Sequence, residues 1–269
     1  MDVNRYLELV RKNQPLVHHL TNWVTIYDCA QVVKSFGASP VMAHAAEESA
    51  DMTSIASALV LNIGTLTPEF IESMISAALS ANRKGIPVVL DVCGAGATKL
   101  RDEMCFKLLD KTRIDIIKGN ASEVARISGA DVQTRGVDSG TVSGSLVNIA
   151  AELAVKRKCT VVITGKDDII TDGRRCFTVS NGHELMVHVV GTGCMAASVI
   201  GTFAGAAPDD IVEAAAAGLC CFEIAAELAV KKCGGPGSFT NCLFDAIYTL
   251  DKDKLETMKW ISECAVTTL

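Results

Sequence analysis

The sequence predicts an α/β fold in which a central, mostly parallel β-sheet is flanked by helices. Short apolar runs alternate with amphipathic stretches along the chain, as in successive βαβ units. The composition is 49% hydrophobic and only 5% aromatic, which suits a buried sheet rich in small and branched residues. With 269 residues the chain can bury a large core, and we expect a single domain over residues 1–269.

Four apolar runs have the length of buried parallel strands, and each leads into glycine, lysine-glycine or aspartate, where a strand would pass into a loop. They are Ala58–Ile63, Ile86–Leu90, Ile114–Ile117 and Thr160–Thr164. The next part of the chain predicts a hairpin, because Ile169–Thr171 and Cys176–Ser180 flank the turn residues Asp172 and Gly173.

Amphipathic periodicity predicts helices before, between and after these strands. The expected helices are Met1–Asn13, Thr25–Phe36, Pro68–Lys84, Leu100–Lys111, Ala121–Ser128, Gly140–Lys156, Cys194–Ala204, Pro208–Lys232 and Gly237–Leu250.

Charge and cysteine content exclude several classes of protein. The net charge of −6 provides no basic surface for nucleic acid, and no apolar run is long enough to span a membrane. The N-terminal stretch lacks the basic-then-apolar order of a signal peptide. The eleven cysteines show no paired CxxC spacing, so we expect reduced, buried thiols and a cytoplasmic location.

A glycine-rich turn is the strongest local signal for chemistry. Gly191, Thr192 and Gly193 precede Cys194 at the start of an expected helix. Backbone N–H groups that are unpaired at such a turn, together with the helix dipole, attract phosphate. A tight strand-to-helix turn without a ligand has the same pattern, so the pattern alone leaves both interpretations open.

Asp91 ends one of the expected strands and precedes a flexible glycine-containing turn. Ligands of open α/β sheets bind at the carboxyl ends of the strands, and a carboxylate there suits Mg²⁺, directly or through water. The alternative is that Asp91 caps a helix.

Lys118, Asn120 and Glu123 follow the next strand, at the same expected edge. One interpretation is structural, with Asn120 and Glu123 forming a capping box for the following helix. The functional interpretation places Lys118 against phosphate and Glu123 near the metal and its waters.

Three further positions are weaker candidates. Thr164 ends a strand before Gly165 and would bring a hydroxyl to a nucleotide. The segments around Asn22 and Met42 are able to wall a pocket for a small ring, although Asn22 is equally suited to cap a helix and the nearby histidines to be structural. The chain has no Walker lysine motif, GxSxG elbow, HExxH motif or Rossmann glycine pattern.

Taken together, the motifs of the chain resemble those of the hydroxyethylthiazole kinase family in the same order, from about Pro15 to Phe203. The segments that carry the resemblance are Pro15–Asn22, Gly37–His44 with ASPVMAH, Leu61–Thr65 with LNIGT, Val89–Thr98 with GAGAT, Lys118–Glu123 with KGNASE, Val162–Gly165 and Gly191–Cys194 with GTGC.

The resemblance implies a ribokinase-like fold, a homotrimer with active sites between subunits, and phosphorylation of 4-methyl-5-(2-hydroxyethyl)thiazole in thiamine salvage with ATP and Mg²⁺. It also implies roles for individual residues. Asn22, Met42 and Gly191 would bind the thiazole, Lys118 and Thr164 the ATP, and Asp91 with Glu123 the metal and phosphates. Cys194 would act in catalysis, beside Thr192 and Gly193 of the anion turn that the local pattern indicates.

Two segments depart from the family pattern. The family usually has Asp-Pro-Val-Gly where this chain has Asp91-Val92-Cys93-Gly94, and often Gly-Glu-Val-Asp where it has Gly165-Lys166-Asp167-Asp168. Losing the proline loosens the turn after Asp91, and Lys166 replaces an acidic group near the nucleotide.

Cys194 occupies the position where ribokinase-like kinases generally carry an aspartate base, and the thiazole kinases are similar to this chain in having cysteine. A thiol is a weak base unless its pKa is lowered, so we expect a slow enzyme that Cys194→Asp accelerates. Two alternatives remain at this point. One is another small-molecule kinase of the same fold, such as a hydroxymethylpyrimidine kinase, or a nucleotide-dependent dehydratase; the other is a non-catalytic protein that binds thiazole or nucleotide.

Overall fold

A computed structural model describes residues 1–129 and 142–266. Nine strands are present in this part of the chain: Leu16–Leu20 (β1), Ser39–Val41 (β2), Ala58–Asn62 (β3), Val88–Asp91 (β4), Ile116–Asn120 (β5), Thr160–Thr164 (β6), Asp168–Thr171 (β7), Cys176–Val179 (β8) and Ile261–Glu263 (β9).

Eleven α-helices accompany the strands in the described residues, together with a short 3-10 helix at Glu184–His188. The α-helices are Val3–Asn13 (α1), Ile26–Ser35 (α2), Ser49–Ile55 (α3), Pro68–Lys84 (α4), Lys99–Lys111 (α5), Ala121–Ser128 (α6), Val142–Arg157 (α7), Thr192–Ala206 (α8), Ile211–Val230 (α9), Pro236–Tyr248 (α10) and Lys252–Met258 (α11).

All nine strands form one sheet in the order β2-β1-β3-β4-β5-β6-β7-β8-β9. The pairs from β2 to β6 are parallel, whereas β7, β8 and β9 are added in antiparallel orientation. The predicted α/β class with a mostly parallel sheet is therefore confirmed. The predicted hairpin is present as β7 and β8.

Hydrophobic cores lie on both faces of the sheet because successive strand residues point to opposite sides. On β3, Val60 belongs to the core that includes α1, α2 and α8 to α11. Its neighbours Leu59 and Leu61 belong to the core that includes α4 to α7. The central strands are thus covered on both faces and end together at one edge.

The expected elements agree with the structure to within a few residues, except that Gly140, the expected start of α7, lies outside the described residues. The strand β1 has no clear signal in the sequence because His18 and His19 interrupt its apolar run. His18 is completely buried and its ring nitrogens are paired with Thr53 Oγ1 at 2.8 Å and Ala43 O at 2.9 Å. His18 is therefore a structural residue, one of the two interpretations left open.

The expectation that all cysteines are reduced is wrong for one pair. Cys176 and Cys264 form a disulfide, with their Cα atoms 5.1 Å apart. The two residues are separated by 88 positions in the sequence, and only the antiparallel pairing of β8 and β9 brings them together. Sequence spacing therefore gives no indication of the bond. Within the described part of the chain, no helix is both long and apolar enough to cross a membrane.

Candidate active site

Three polar residues lie side by side at the carboxyl ends of the central strands. Asn62 of β3 is in register with Asp91 of β4, and Asp91 is in register with Lys118 of β5. All three are less than 5% exposed. Since buried polar groups must find partners, this row forms a connected network at the edge where ligands of such sheets bind.

Asp91 is held from both sides. Lys118 Nζ lies 3.3 Å from Asp91 Oδ2, and Asn62 Nδ2 donates a hydrogen bond of 2.8 Å to the same oxygen. Burial raises the pKa of Asp91 to about 7, although the Lys118 charge acts in the opposite direction. Burial would lower the pKa of Lys118, but the negative charges around it, chiefly Asp91, raise it, so Lys118 is a cation.

Asp91 does not cap a helix, which was the alternative interpretation. The N-cap of α5 is Thr98, whose hydroxyl oxygen accepts a hydrogen bond from the Arg101 backbone N–H at 3.3 Å. The Asp91 carboxylate therefore remains available at the edge of the sheet where the strands end.

Glu123 forms the capping box that the sequence indicates. Asn120 Oδ1 accepts from the Glu123 backbone N–H at 2.9 Å, and Glu123 Oε2 accepts from the Asn120 N–H at 2.7 Å. Its other oxygen, Oε1, accepts from the Gly94 N–H at 2.7 Å. Glu123 thereby links the turn after β4 to the start of α6, and each of its oxygens retains a further lone pair.

The glycine turn opens α8 as expected. Gly191 is its N-cap with a φ of +94°, and a Cβ there would lie 2.7 Å from Thr25 Cγ2, so only glycine fits. The Thr192 hydroxyl donates to Met186 O at 3.1 Å. The space above Gly193 belongs to the site, because a Cβ on it would lie 3.4 Å from Lys118 Nζ.

The Cys194 sulfur receives hydrogen bonds from two amides. Asn22 Nδ2 donates to it at 3.2 Å and Asn62 Nδ2 at 3.4 Å. A hydrogen bond from Cys93 lowers the pKa of Cys194 to about 5, and Thr25, the Lys118 charge and Asn22 act in the same direction against burial. The thiol is therefore a thiolate at neutral pH.

Sequence reasoning missed two residues of this site. Asn62 joins Asp91 to Cys194, and the signal for it was present, since Asn62 ends a strand as Asp91 does. The other is Arg101 in the first turn of α5, whose guanidinium donates to Ile63 O at 2.9 Å, Cys93 O at 3.0 Å and Gly64 O at 2.7 Å. It links the turn after β4 to the turn after β3, and the second contact depends on tertiary packing that no local pattern shows.

A cavity of about 1010 Å³ adjoins the glycine turn. Thr164, Thr192 and Gly193 line it, and so do Lys166 and Asp167 of the segment that departs from the family pattern. Thr164 Oγ1 donates to Gly119 O at 3.4 Å. The cavity therefore joins the expected phosphate turn to the expected ATP residue Thr164.

Met42 is the one sequence-predicted residue that the structure does not bring to this cluster. It follows β2, and β1 and β3 lie between β2 and the Asp91 strand. The other predicted positions, from Asn22 to Cys194, meet at the cluster or along the adjoining cavity.

Comparison with known proteins gives consistent results. A sequence profile of the hydroxyethylthiazole kinase family matches residues 7–253. Hydroxyethylthiazole kinases of Methanosarcina mazei and Methanosarcina acetivorans are 55% and 53% identical to this chain. The matches cover 96% and 97% of this chain and 98% and 100% of the relatives, respectively.

Solved structures agree at the level of the fold and, in one case, of the family. A structure of a hydroxyethylthiazole kinase protein from Pyrococcus horikoshii superimposes with a TM-score of 0.90 at 37% identity, over 98% of this chain and 99% of that one. A ribokinase-like superfamily protein from Enterococcus faecalis has a TM-score of 0.62 at 13% identity, covering 90% and 93% of the two chains, which shows the shared fold. The chain belongs to the hydroxyethylthiazole kinase family.

Proposed function

We propose that this protein transfers the γ-phosphate of ATP to the hydroxyl of 4-methyl-5-(2-hydroxyethyl)thiazole, in thiamine salvage. One observation carries the proposal: a thiolate, Cys194, lies at the start of α8 within hydrogen-bond reach of Asn62, which also holds the Asp91–Lys118 pair. We infer the substrate from the relatives, which are named hydroxyethylthiazole kinases.

Charge neutralisation is the main task in phosphoryl transfer, because the transition state is loose and its charge is spread over the phosphate oxygens. Lys118 provides a fixed cation beside Gly193, and the unpaired N–H groups of the turn provide donors. Lys118 is buried, which strengthens its interaction with phosphate relative to water. Lys118 and the turn therefore bind the transferred phosphate, and Thr164 binds a neighbouring part of the ATP.

The donor set fits Mg²⁺. Asp91 presents a buried carboxylate, and Glu123 is fixed by two backbone N–H groups yet retains lone pairs for metal-bound water. Asp91 and Glu123 would hold the ion, which neutralises charge on the nucleotide phosphates when bound.

Cys194 is the base of the proposed reaction. Its thiolate accepts the proton of the substrate hydroxyl as the oxygen attacks the γ-phosphorus, and ADP leaves with the electron pair of the broken P–O bond. Asn22 and Asn62 hold the sulfur in place. Sulfur is a weaker hydrogen-bond acceptor than a carboxylate oxygen, so the thiolate orients the substrate hydroxyl less firmly than an aspartate would, and turnover is slow. Positioning and charge then supply most of the rate.

We propose a homotrimer, as the resemblance implies, and an apolar surface beside the turn supports a subunit contact. Trp23, Val24 and Tyr27 flank Thr25, which contacts Gly191, while Val187 and Val190 precede the turn; these five side chains are 58–85% exposed. Exposed apolar clusters of this kind mark interaction surfaces. We place the subunit contact here, so that Asn22 and Gly191 of one subunit and Met42 of a neighbour complete the thiazole pocket. The single domain and the cytoplasmic location remain part of the proposal.

A coupled ADP-release assay tests the reaction. Purified protein is given the thiazole alcohol, hydroxymethylpyrimidine or sugars, with mass detection of the phosphate ester. With ATP present, we expect turnover with the thiazole alcohol and none with the other two acceptors. Turnover with hydroxymethylpyrimidine instead would assign a different kinase, and binding of thiazole without any product over hours would assign a sensor.

A further inference from the structure

A pair of buried carboxyl groups lies on the wall of the nucleotide cavity, apart from the Asp91 network. Asp168 begins β7 and Glu223 lies in the middle of α9, and their side chains are 2% and 7% exposed. Both residues line the cavity of about 1010 Å³. The Gly165 N–H donates to Asp168 Oδ1 at 2.9 Å, so the pair is tied to the end of the strand that carries Thr164.

The Glu223 carboxyl group lacks the hydrogen-bond donors that the next glutamate on α9 has. One turn further along α9, Glu227 Oε1 accepts hydrogen bonds from Asn181 Nδ2 at 2.9 Å and from the Gly182 N–H at 3.0 Å. Among the described residues, by contrast, no N–H or O–H group donates to the buried Glu223 Oε2. A buried acceptor without a donor is costly, and one on a cavity wall indicates where a ligand donor belongs.

The two carboxyl groups share one proton. Two adjacent buried carboxylates repel each other, so one of them is protonated. Burial, assisted by the Asp168 charge, raises the pKa of Glu223 well above its usual value. Burial also raises the pKa of Asp168, to about 6. Glu223 is therefore the neutral acid that donates to Asp168, and a carboxylic acid in this role still has acceptor capacity for the cavity.

The position of the Asp168–Glu223 pair in the cavity indicates which part of a nucleotide lies beside it. Thr192 and Gly193 lie at the phosphate end, while Trp260, Leu219 and Phe222 provide apolar wall that suits a base. We propose that the Asp168–Glu223 pair recognises a hydrogen-bond donor on the nucleoside part of the phosphate donor, either a ribose hydroxyl or the exocyclic amine of the base. This inference rests on the proposed function only in that a nucleotide occupies the cavity.

Nucleotide analogues test the inference without requiring thiazole turnover. Calorimetry measures binding of ATP, 2′-deoxy-ATP, 3′-deoxy-ATP and purine riboside triphosphate, which lacks the amine, to the wild-type protein and to Glu223→Leu. We expect the wild type to lose roughly tenfold in affinity for the analogue that lacks the recognised donor. Glu223→Leu should bind ATP and that analogue equally, and the affected analogue identifies the hydroxyl or the amine.

Glu223→Gln is the matched control. A neutral amide keeps a donor for Asp168 and an acceptor for the cavity, so we expect it to retain the discrimination that Glu223→Leu loses. Equal binding of all four nucleotides by the wild type would overturn the inference, as would unchanged discrimination in Glu223→Leu. Thermal unfolding of both variants verifies that they are folded. Failure of the thiazole assay would overturn the proposed substrate and leave these binding results interpretable.

Discussion

Asp91 and Lys118 form a salt bridge of 3.3 Å in which the side chains are only 1% and 5% exposed. Burying two charges costs several kcal/mol per ion, and an apolar pair of similar volume is often at least as stable. The pair is therefore better explained by function than by stability. It fixes a cation beside the glycine turn and holds the Asp91 carboxyl group at the edge of the sheet, where we propose that the metal binds.

Removing one member of this pair should cost more stability than removing both. We expect Lys118→Met to lower the free energy of unfolding by about 3–5 kcal/mol because the buried Asp91 carboxylate loses its counter-charge, and Lys118→Met/Asp91→Leu to recover most of the loss. Urea unfolding measures the free energy of unfolding of the single and the double variant, and neither variant should have kinase activity. Lys99→Met is the control, since the Lys99–Glu103 pair is 90% and 52% exposed. Equal losses for the single and double variants would contradict the prediction.

The reactivity of Cys194 should depend on pH in a way that reveals its lowered pKa. The thiolate is the form that reacts, and a pKa of about 5 means that it dominates above that pH and is lost as the pH falls through it. We expect iodoacetamide to label Cys194 at a constant rate from neutral pH down to about pH 6, with a decline below, as measured by peptide mass spectrometry. Asn22→Leu removes a donor to the sulfur and should move the decline to higher pH. Labelling of the wild type that rises only near pH 9 would refute this assignment.

Replacing the thiolate by a carboxylate should accelerate the enzyme. Aspartate is the base of most ribokinase-like kinases, and we expect Cys194→Asp to raise kcat by about tenfold, while Cys194→Ser lowers it. Steady-state kinetics at saturating thiazole and ATP separates kcat from KM. A variant with unchanged or reduced kcat would mean that Cys194 does not take the proton.

Glu123 should contribute both to the fold and to magnesium use. Glutamine at this position loses one of the acceptors for the Gly94 and Asn120 N–H groups, so Glu123→Gln should lose about 1 kcal/mol of stability and require more Mg²⁺ for half-maximal rate. Asn120→Ala is matched to it, because it breaks the same capping box and spares the Glu123 carboxylate. An identical magnesium titration for Glu123→Gln and the wild type would remove Glu123 from the metal site.

The apolar surface beside the turn should determine the oligomeric state. We expect Tyr27→Glu to place a charge in the subunit contact and to convert a trimer into monomers, with loss of activity, as measured by light scattering after size-exclusion chromatography. Tyr248→Glu is the control, since Tyr248 is 77% exposed at the end of α10. A wild-type protein that is monomeric at assay concentration would contradict the proposed interface.

The sequence predicted the residues that follow strands and missed the contacts between them. Asp91, Lys118 and Cys194 were identified because each stands at a strand end or helix start, which is a local property. The bridging role of Asn62 depends on which strands are neighbours, and the support from Arg101 depends on where α5 packs. The disulfide likewise required the pairing of β9 with β8. Such relationships arise from tertiary pairing, which periodicity and capping patterns do not encode.

The cluster around Cys194 is assembled from segments that are far apart in the chain. Asn22 and Cys194 are separated by 172 positions, and Asn62 and Cys194 by 132. Contacts between residues so far apart in the sequence form late in folding, because the ends of a long loop must first be brought together. The thiolate with both of its amide donors requires β1 to be paired with β3 and α8 to be docked on them, and the Asp91–Lys118 pair further requires β4 and β5. Recovery of catalysis during refolding therefore reports the pairing of these four strands and the docking of α8, and a far-ultraviolet signal should recover before it.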